Sequence, residues 1–398
     1  MLNIAFKAYK TKKLKHIHAR IDIASWVWNH CVALHKRYYR IYGKYIKLSR
    51  VQKHFAKLRN NKYKKWQLLL AQSIQEICER VDESYRRFFN KIATRPPKFK
   101  KAKNFNSYVV KQSGWKIKDN VLTLNNIGKF KFSKSREYEN IKRIALKRNN
   151  IGDIYFILCC NMNSDKYKRV GDSTIGLDFG LKTYLTCSNG VKINSPEFLK
   201  VDINNVKKLN REFSKKKTGS SNSKKALLNL QKRHITIANR RSDFQWKLAH
   251  ELCKNSSFIS LESLNITGMM KRWGRKVGDL AFYSFVTKLE QVAVKYDTIT
   301  QKVDRFYPSS KLCTCGIKND SLKLSDRTWT CTSCGTTHER DMLAANNILS
   351  EGIRLYCTKC KTVLNSDLGL KVESCNINAG VCQGDYLPSK RKINREKV

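Results

Sequence analysis

Three acidic residues stand out, the first two where acids are costly. Asp178 lies inside the apolar run "STIGLDFGLKTYLTCSNG" (173–190), Glu262 lies inside "FISLESLNITGMM" (258–270), and Asp341 opens the helix-spaced "DMLAANNILSEGI". A lone buried acid is ordinarily a hydrogen-bonded structural residue. Three in separate elements of a very basic chain point to carboxylates gathered by a sheet and a helix around divalent cations. Two Mg²⁺ ions about 4 Å apart activate a water and stabilise the leaving oxygen of a phosphodiester. The cations also offset the repulsion among the acids themselves.

A second constellation is sulfur. "CTC" (Cys313, Cys315) and "CTSC" (Cys331, Cys334) form two close pairs separated by fifteen residues. Four thiolates bind Zn²⁺ as a closed tetrahedral site, and the metal supplies folding energy that a short polar insert lacks. The first knuckle is one residue shorter than C-x-x-C. A further C-x-x-C, Cys357 and Cys360, competes as a source of ligands, and four scattered reduced thiols are the plainer alternative. Cys31, Cys78, Cys187 and Cys253 read as core residues.

The charge names a class of partner. Against 31 Asp and Glu there are 80 Lys and Arg, a formal +49 in 398 residues. A field of that size along most of the chain suits a polyanion, and nucleic acid is favoured over a membrane because no run approaches the ~20 apolar residues of a spanning helix. "MLNIAFKAYKTKK" has no apolar core ahead of a cleavage site, so a cytoplasmic protein with reduced thiols is expected, nucleoid-associated if prokaryotic.

The elements that must position these groups follow from periodicity. Residues 2–10 read as a strand and 18–59 as helical, with Trp26, Trp28, Tyr38, Tyr39, Tyr42 and Tyr45. For the tyrosines, core packing is weighed above base stacking. Leu70, Ile74, Ile77, Val81, Tyr85 and Phe88 form one face of a second helix. "RPPKFKKAKN" (95–104) ends the helical region. Alternating segments at 115–118, 121–124, 129–133 and 153–160 predict antiparallel hairpins in a small barrel or sheet, with strand 2–10 completing it. Beyond 172 the texture changes. Two strands precede an Asn-Gly turn, a basic loop covers 214–225, a long helix runs to about 253, and another covers 279–295.

Taken together, "IGLDFGLKTYLTCSNG", "FISLESLNITGMM" and "SSKLCTCG…WTCTSCGTTHERDMLAANNIL" resemble the three RuvC motifs and zinc ribbon of the TnpB family, transposon-encoded relatives of type V CRISPR nucleases. "RPPKFK" and "IANRRSDFQWKLAHEL" also have counterparts there. The resemblance covers roughly 95–350 well and the N-terminal third by architecture. It implies Asp178, Glu262 and Asp341 as the catalytic acids and Mg²⁺ ligands, Cys313, Cys315, Cys331 and Cys334 as Zn²⁺ ligands, and Arg340 as the arginine that precedes the third acid. Leu343 departs from the family, standing where many members carry asparagine.

The implied fold is α+β and multidomain. A β-barrel or hairpin domain (1–17 and 93–171) carries a helical insertion (18–92). An RNase H-like RuvC domain (172–312 and 335–375) carries the zinc ribbon (313–334), and a basic tail (376–398) follows. The implied function is RNA-guided DNA cleavage: a guide RNA from the transposon end, a short target-adjacent motif, and two-metal hydrolysis of double-stranded DNA by a monomer. The alternative is a DNA-binding regulator of transposition or transcription, guided or unguided, that does not cleave. A strand transferase acting on transposon ends without RNA is a third reading.

Overall fold

A glycine divides what reads as one long helix. In the computed structural model, which describes residues 2–161, 167–323 and 325–368, strand β1 (Leu2–Lys7) leads into α1 (Leu14–Tyr42). Gly43 closes α1 at φ 60°, its N–H bonded to Tyr39 O at 2.8 Å, a left-handed cap that suits glycine. The chain restarts as α2 (Leu48–Asn61), so the helix expected over 18–59 is two. In α3 (Ala71–Phe89) the expected face packs inward, with Ile74, Ile77, Val81 and Tyr85 buried.

Six strands follow: β2 (Ser107–Val110), β3 (Trp115–Lys118), β4 (Val121–Leu124), β5 (Gly128–Lys131), β6 (Ile141–Arg148) and β7 (Ile154–Cys160). They form two antiparallel sheets, β1-β7-β6-β2 and β3-β4-β5, joined by a bridge between Ala8 and Phe132. Strand β1 pairs with β7 across the intervening helices. Strands β2 and β6 are not anticipated by the alternation read from the sequence. Phe6, Phe130, Phe132 and Phe156 share one buried core with Ile17 and Ile21 of α1.

Next come β8 (Ser173–Phe179), β9 (Thr183–Cys187), β10 (Lys192–Asn194), α4 (Phe198–Ser214) and α5 (Ser221–Asn255). The basic loop expected over 214–225 shrinks to 215–220, because α5 already begins at Ser221 and a further helix, α4, runs to Ser214. Asp202 of α4 is 3% exposed and pairs with Arg233 and Arg240 of α5, which holds the two helices together. The chain continues as β11 (Ser256–Glu262), α6 (Ile266–Leu280), α7 (Phe282–Tyr296), β12 (Ile299–Val303), β13 (Thr328–Thr330), β14 (Thr337–Glu339) and α8 (Arg340–Leu368). The apolar run 258–270 is therefore strand to Glu262 and helix from Ile266. The expected basic tail from 376, with residues 369–375, lies outside the described residues.

The chain divides into two compact units. Among the described residues, one unit lies within 1–170, 196–255 and 283–297; the other lies within 171–195, 256–282 and 298–368. The second unit is built on a five-stranded sheet in the order β10-β9-β8-β11-β12, with β8, β11 and β12 parallel and β9 antiparallel to β8. Helix α8 lies flush on this sheet because two glycines permit it. A Cβ at Gly176 of β8 would run into Ala345 O and reach 2.9 Å from Leu349 Cβ; one at Gly352 of α8 would strike the Ser260 side chain. Ser260 Oγ donates to Ile348 O at 2.7 Å and ties strand to helix. Among the described residues no helix is long and apolar enough to cross a membrane. Cys31, Cys78, Cys187 and Cys253 are all buried, as core cysteines should be.

Because the α8 contact leaves no room for a methyl group, Gly176→Ala should destabilise the fold by about 1–3 kcal/mol, the cost of overpacking a close-packed interface. A denaturant titration measures this. An unchanged midpoint would mean that α8 does not sit against β8 in this register.

Candidate active site and metal cluster

Parallel pairing brings two of the three acids together. Leu177 of β8 is registered with Leu261 of β11, so Asp178 and Glu262, each one residue further on, stand at neighbouring positions on the carboxyl ends of adjacent strands. Strands in a sheet lie about 4.8 Å apart, and equal register puts both side chains on one face. The Phe179 backbone N–H bonds the Glu262 carboxylate, joining the strand ends directly. Asp341 arrives from the other side, on the first turn of α8, where the helix dipole favours a negative charge. The helix start is fixed by Arg340 N–H donating to Arg327 O at 2.8 Å. Thus β8, β11 and α8 each contribute one carboxylate.

The protonation states report the crowding. Burial, and then the charges of Glu262 and Asp341, hold the Asp178 carboxyl well above the usual carboxylate range, against an opposing pull from Arg340. Burial pushes Glu262 up to about 7, while the Phe179 N–H opposes the shift. Asp341 is more open, its side chain 32% exposed, and pairs with Arg327 Nη1 at 3.4 Å. A cation beside Asp178 and Glu262 would favour their ionised forms. The oxygen-only donor set suits a hard divalent ion that keeps part of its water, as Mg²⁺ does.

The four sulfurs form a second cluster. Cys313, Cys315, Cys331 and Cys334 place all their Sγ atoms within 4.8 Å of one another, with Cys313–Cys334 at 3.6 Å and Cys315–Cys331 at 3.7 Å. A tetrahedral zinc with Zn–S bonds of about 2.3 Å needs S···S edges of about 3.8 Å. The donor set therefore fits Zn²⁺. The short knuckle reaches this geometry by a tighter turn: Gly316 N–H bonds Cys313 O, one residue sooner than Gly335 N–H bonds Cys331 O. Both glycines have positive φ, 90° and 70°. Hydrogen bonds from the Thr336 hydroxyl and backbone pull the Cys334 thiol down to about 6, and the backbone N–H groups of Cys334 and Ser333 lower Cys331. Strands β13 and β14 carry the rest of this small substructure.

Two contributors, His338 and Arg327, escape the motif reading. His338 Nε2 lies 3.0 Å from Cys313 Sγ, and both are buried; with Nε2 protonated, the ring donates to the thiolate and fixes it. Only its proximity to the third acid marks it in the sequence. Arg327, which lies just before β13, has no sequence signal at all. Leu343, the departure from the family pattern, is 4% exposed and packs with Cys313, Trp329 and Cys331, so its role there is apolar. Arg340 does more than precede Asp341: its Nη1 donates to Lys323 O at 3.2 Å and to Asp326 O at 3.4 Å. Cys357 and Cys360 lie on α8, away from the four-sulfur group.

Glu262 sets a pH dependence. Between its ordinary value of 4.5 and about 7, the folded chain keeps a proton that the unfolded chain releases. Metal-free stability therefore falls as pH rises through that window. A divalent ion bound to the ionised acids reverses the loss, so added Mg²⁺ should raise Tm more near pH 8 than near pH 5. Differential scanning calorimetry with and without Mg²⁺ checks this; an equal gain at both pH values would separate the metal from these acids.

The similarity of the chain to known proteins agrees with its motifs. Residues 157–272 match the family described as "Probable transposase", OrfB of IS605, and residues 282–348 match "Cas12f1-like, TNB domain". A protein of Streptomyces pristinaespiralis named "Putative RNA-guided DNA endonuclease" is 36% identical over 184 residues, 46% of each chain. The match thus spans about half the length of that relative. InsQ of Escherichia coli (strain K12), named in the same way, is 23% identical over 368 residues, 87% of this chain and 90% of its own. In the cryo-EM structure of a Cas12f1–sgRNA–target DNA complex, a chain with 14% identity shares the fold at a TM-score of 0.56, over 85% of this chain and 83% of that one. Three ordered acid motifs, a four-cysteine cluster between the second and the third, and these sequence matches together support a TnpB family member.

Proposed function

We propose that this chain is an RNA-guided DNA endonuclease that cuts double-stranded DNA at a RuvC-like site formed by Asp178, Glu262 and Asp341. The observation that carries the reading is the in-register placement of Asp178 and Glu262 at the ends of β8 and β11, with Asp341 on the first turn of α8. Two bound Mg²⁺ ions would supply a nucleophilic water and charge on the leaving oxygen. Asp178 and Glu262 then act as ionised ligands, released from the protons that burial otherwise imposes. Arg340 lowers the cost of ionising Asp178, and Arg327 orients Asp341.

In this reading the sheet of β8–β12 with α8 is an RNase H-like core, and the four cysteines form a structural Zn²⁺ ribbon inserted before the third acid. The N-terminal sheets and the helices of 18–92 serve a guide RNA transcribed from the transposon end and a short motif beside the target. The +49 charge supports the load: a structured RNA, a heteroduplex and a displaced strand all need cationic surface. The protein acts as a monomer in the cytoplasm, on nucleoid DNA in a prokaryotic host.

The test is plasmid cleavage. The protein is co-expressed with its native flanking sequence, and the guide is reprogrammed to a target beside a randomised motif. Cuts should depend on the guide, and Asp178→Ala should lower the rate more than about 100-fold, beyond the loss typical of residues that merely support a metal ligand. Cleavage that survives Asp178→Ala sinks the site. Intact guide-dependent binding without any cleavage would instead establish the non-cleaving regulator.

A further inference from the structure

Away from the acids, the N-terminal unit contains a cavity of about 170 Å³ lined by Arg20, Gln67, Leu68, Leu70, Tyr108 and residues of the β4–β5 turn. Two features of its floor are unusual. Arg20 is 5% exposed and has no carboxylate partner among the described residues. Its guanidinium instead donates to three carbonyls: Leu68 O at 2.9 Å, His16 O at 3.1 Å and Asn126 O at 3.1 Å. That uses three of its five N–H groups and holds the fork rigidly. Beside it, the Tyr108 hydroxyl is buried without a hydrogen-bond partner, in a residue only 2% exposed. A buried hydroxyl left unpaired costs roughly 1–3 kcal/mol, so a native fold keeps one where something else satisfies it.

The rest of the lining describes that something. Leu68, Leu70, Val110, Leu124 and Ile127 supply apolar walls, while Gln67, Asn125 and Asn126 set amides at an exposed rim. One N–H of the Gln67 amide is given to Arg59 O at 3.3 Å, which turns its oxygen into an available acceptor beside it. A free phosphate needs no apolar walls and no acceptor at the rim. A planar ring with acceptors on one edge and donors on another needs both.

We propose that this cavity receives a single unpaired nucleobase, guanine in preference to adenine. Arg20 and Tyr108 face its N7 and O6 acceptors, and the rim oxygens face its ring and exocyclic N–H donors. Adenine turns an N–H₂ donor toward the guanidinium and is rejected for that reason. The site rests on the nucleic-acid partnership proposed above and adds to it a position where the protein itself reads a base.

Saturation-transfer NMR on the full-length protein, freed of copurified RNA, tests this with guanosine 5′-monophosphate, adenosine 5′-monophosphate and inorganic phosphate as probes. The guanine nucleotide should bind about tenfold or more tighter than the adenine nucleotide, with transfer to the base protons. Tyr108→Phe, which keeps the ring in the core, should leave Tm near wild type and weaken that binding severalfold. Leu68→Trp, at the exposed mouth, should block it. Equal affinity for both nucleotides, displacement by phosphate alone, indifference to Tyr108→Phe or no binding would each overturn the site. Because none of these readouts uses Asp178, guide-dependent cleavage by a protein that fails them would leave the nuclease reading standing.

Discussion

Burial and their mutual proximity disfavour the charged forms of Asp178 and Glu262, and a cation between or beside them would offset that cost. They sit side by side on adjacent strands, where burial already disfavours each charge, and Asp341 adds a third negative group. A sequence free to minimise folding energy would put leucine or valine at the ends of β8 and β11. Retaining acids there leaves a local cost that a bound divalent cation would relieve. The surrounding structure is arranged around that constraint. Parallel pairing fixes the separation of two acids, and the glycine-mediated seating of α8 on β8 fixes the third.

The cysteine cluster bears on the same constraint by way of α8. The short strands β13 and β14, with a few buried side chains, form too small a core to order themselves, and a four-thiolate metal site fits that deficit. Leu343 of α8 packs into that core, and Arg340 binds the loop carbonyls of Lys323 and Asp326. The start of α8 is thereby fastened to the cysteine-bearing segment immediately before Asp341. Ordering the cluster and positioning the third acid are one structural event.

The parts most legible in the sequence were those with a sharp energetic contradiction. An acid inside "IGLDFG" or "ISLES" is conspicuous because apolar strands rarely tolerate one, and paired cysteines at knuckle spacing are conspicuous in the same way. Amphipathic α3 was legible because its apolar face repeats every three to four residues. What escaped notice carried weaker signals. Strand β6, "IKRIALKR", alternates only at Ile144 and Leu146, and its flanking cations mask the period. Helix α4 buries only Asp202, so its sequence reads as polar. The break at Gly43 is one residue in a long helical pattern. His338 and Arg327 act through pairings that only the folded chain creates.

The claim on which the account turns is that these three acids hold divalent cations. Crystals grown with Mn²⁺ in place of Mg²⁺, examined by anomalous scattering, test it most directly. The account predicts two strong peaks ligated by Asp178, Glu262 and Asp341, both lost in Asp178→Ala. Density without an anomalous peak at the three carboxylates, or peaks that persist unchanged in Asp178→Ala, would contradict it.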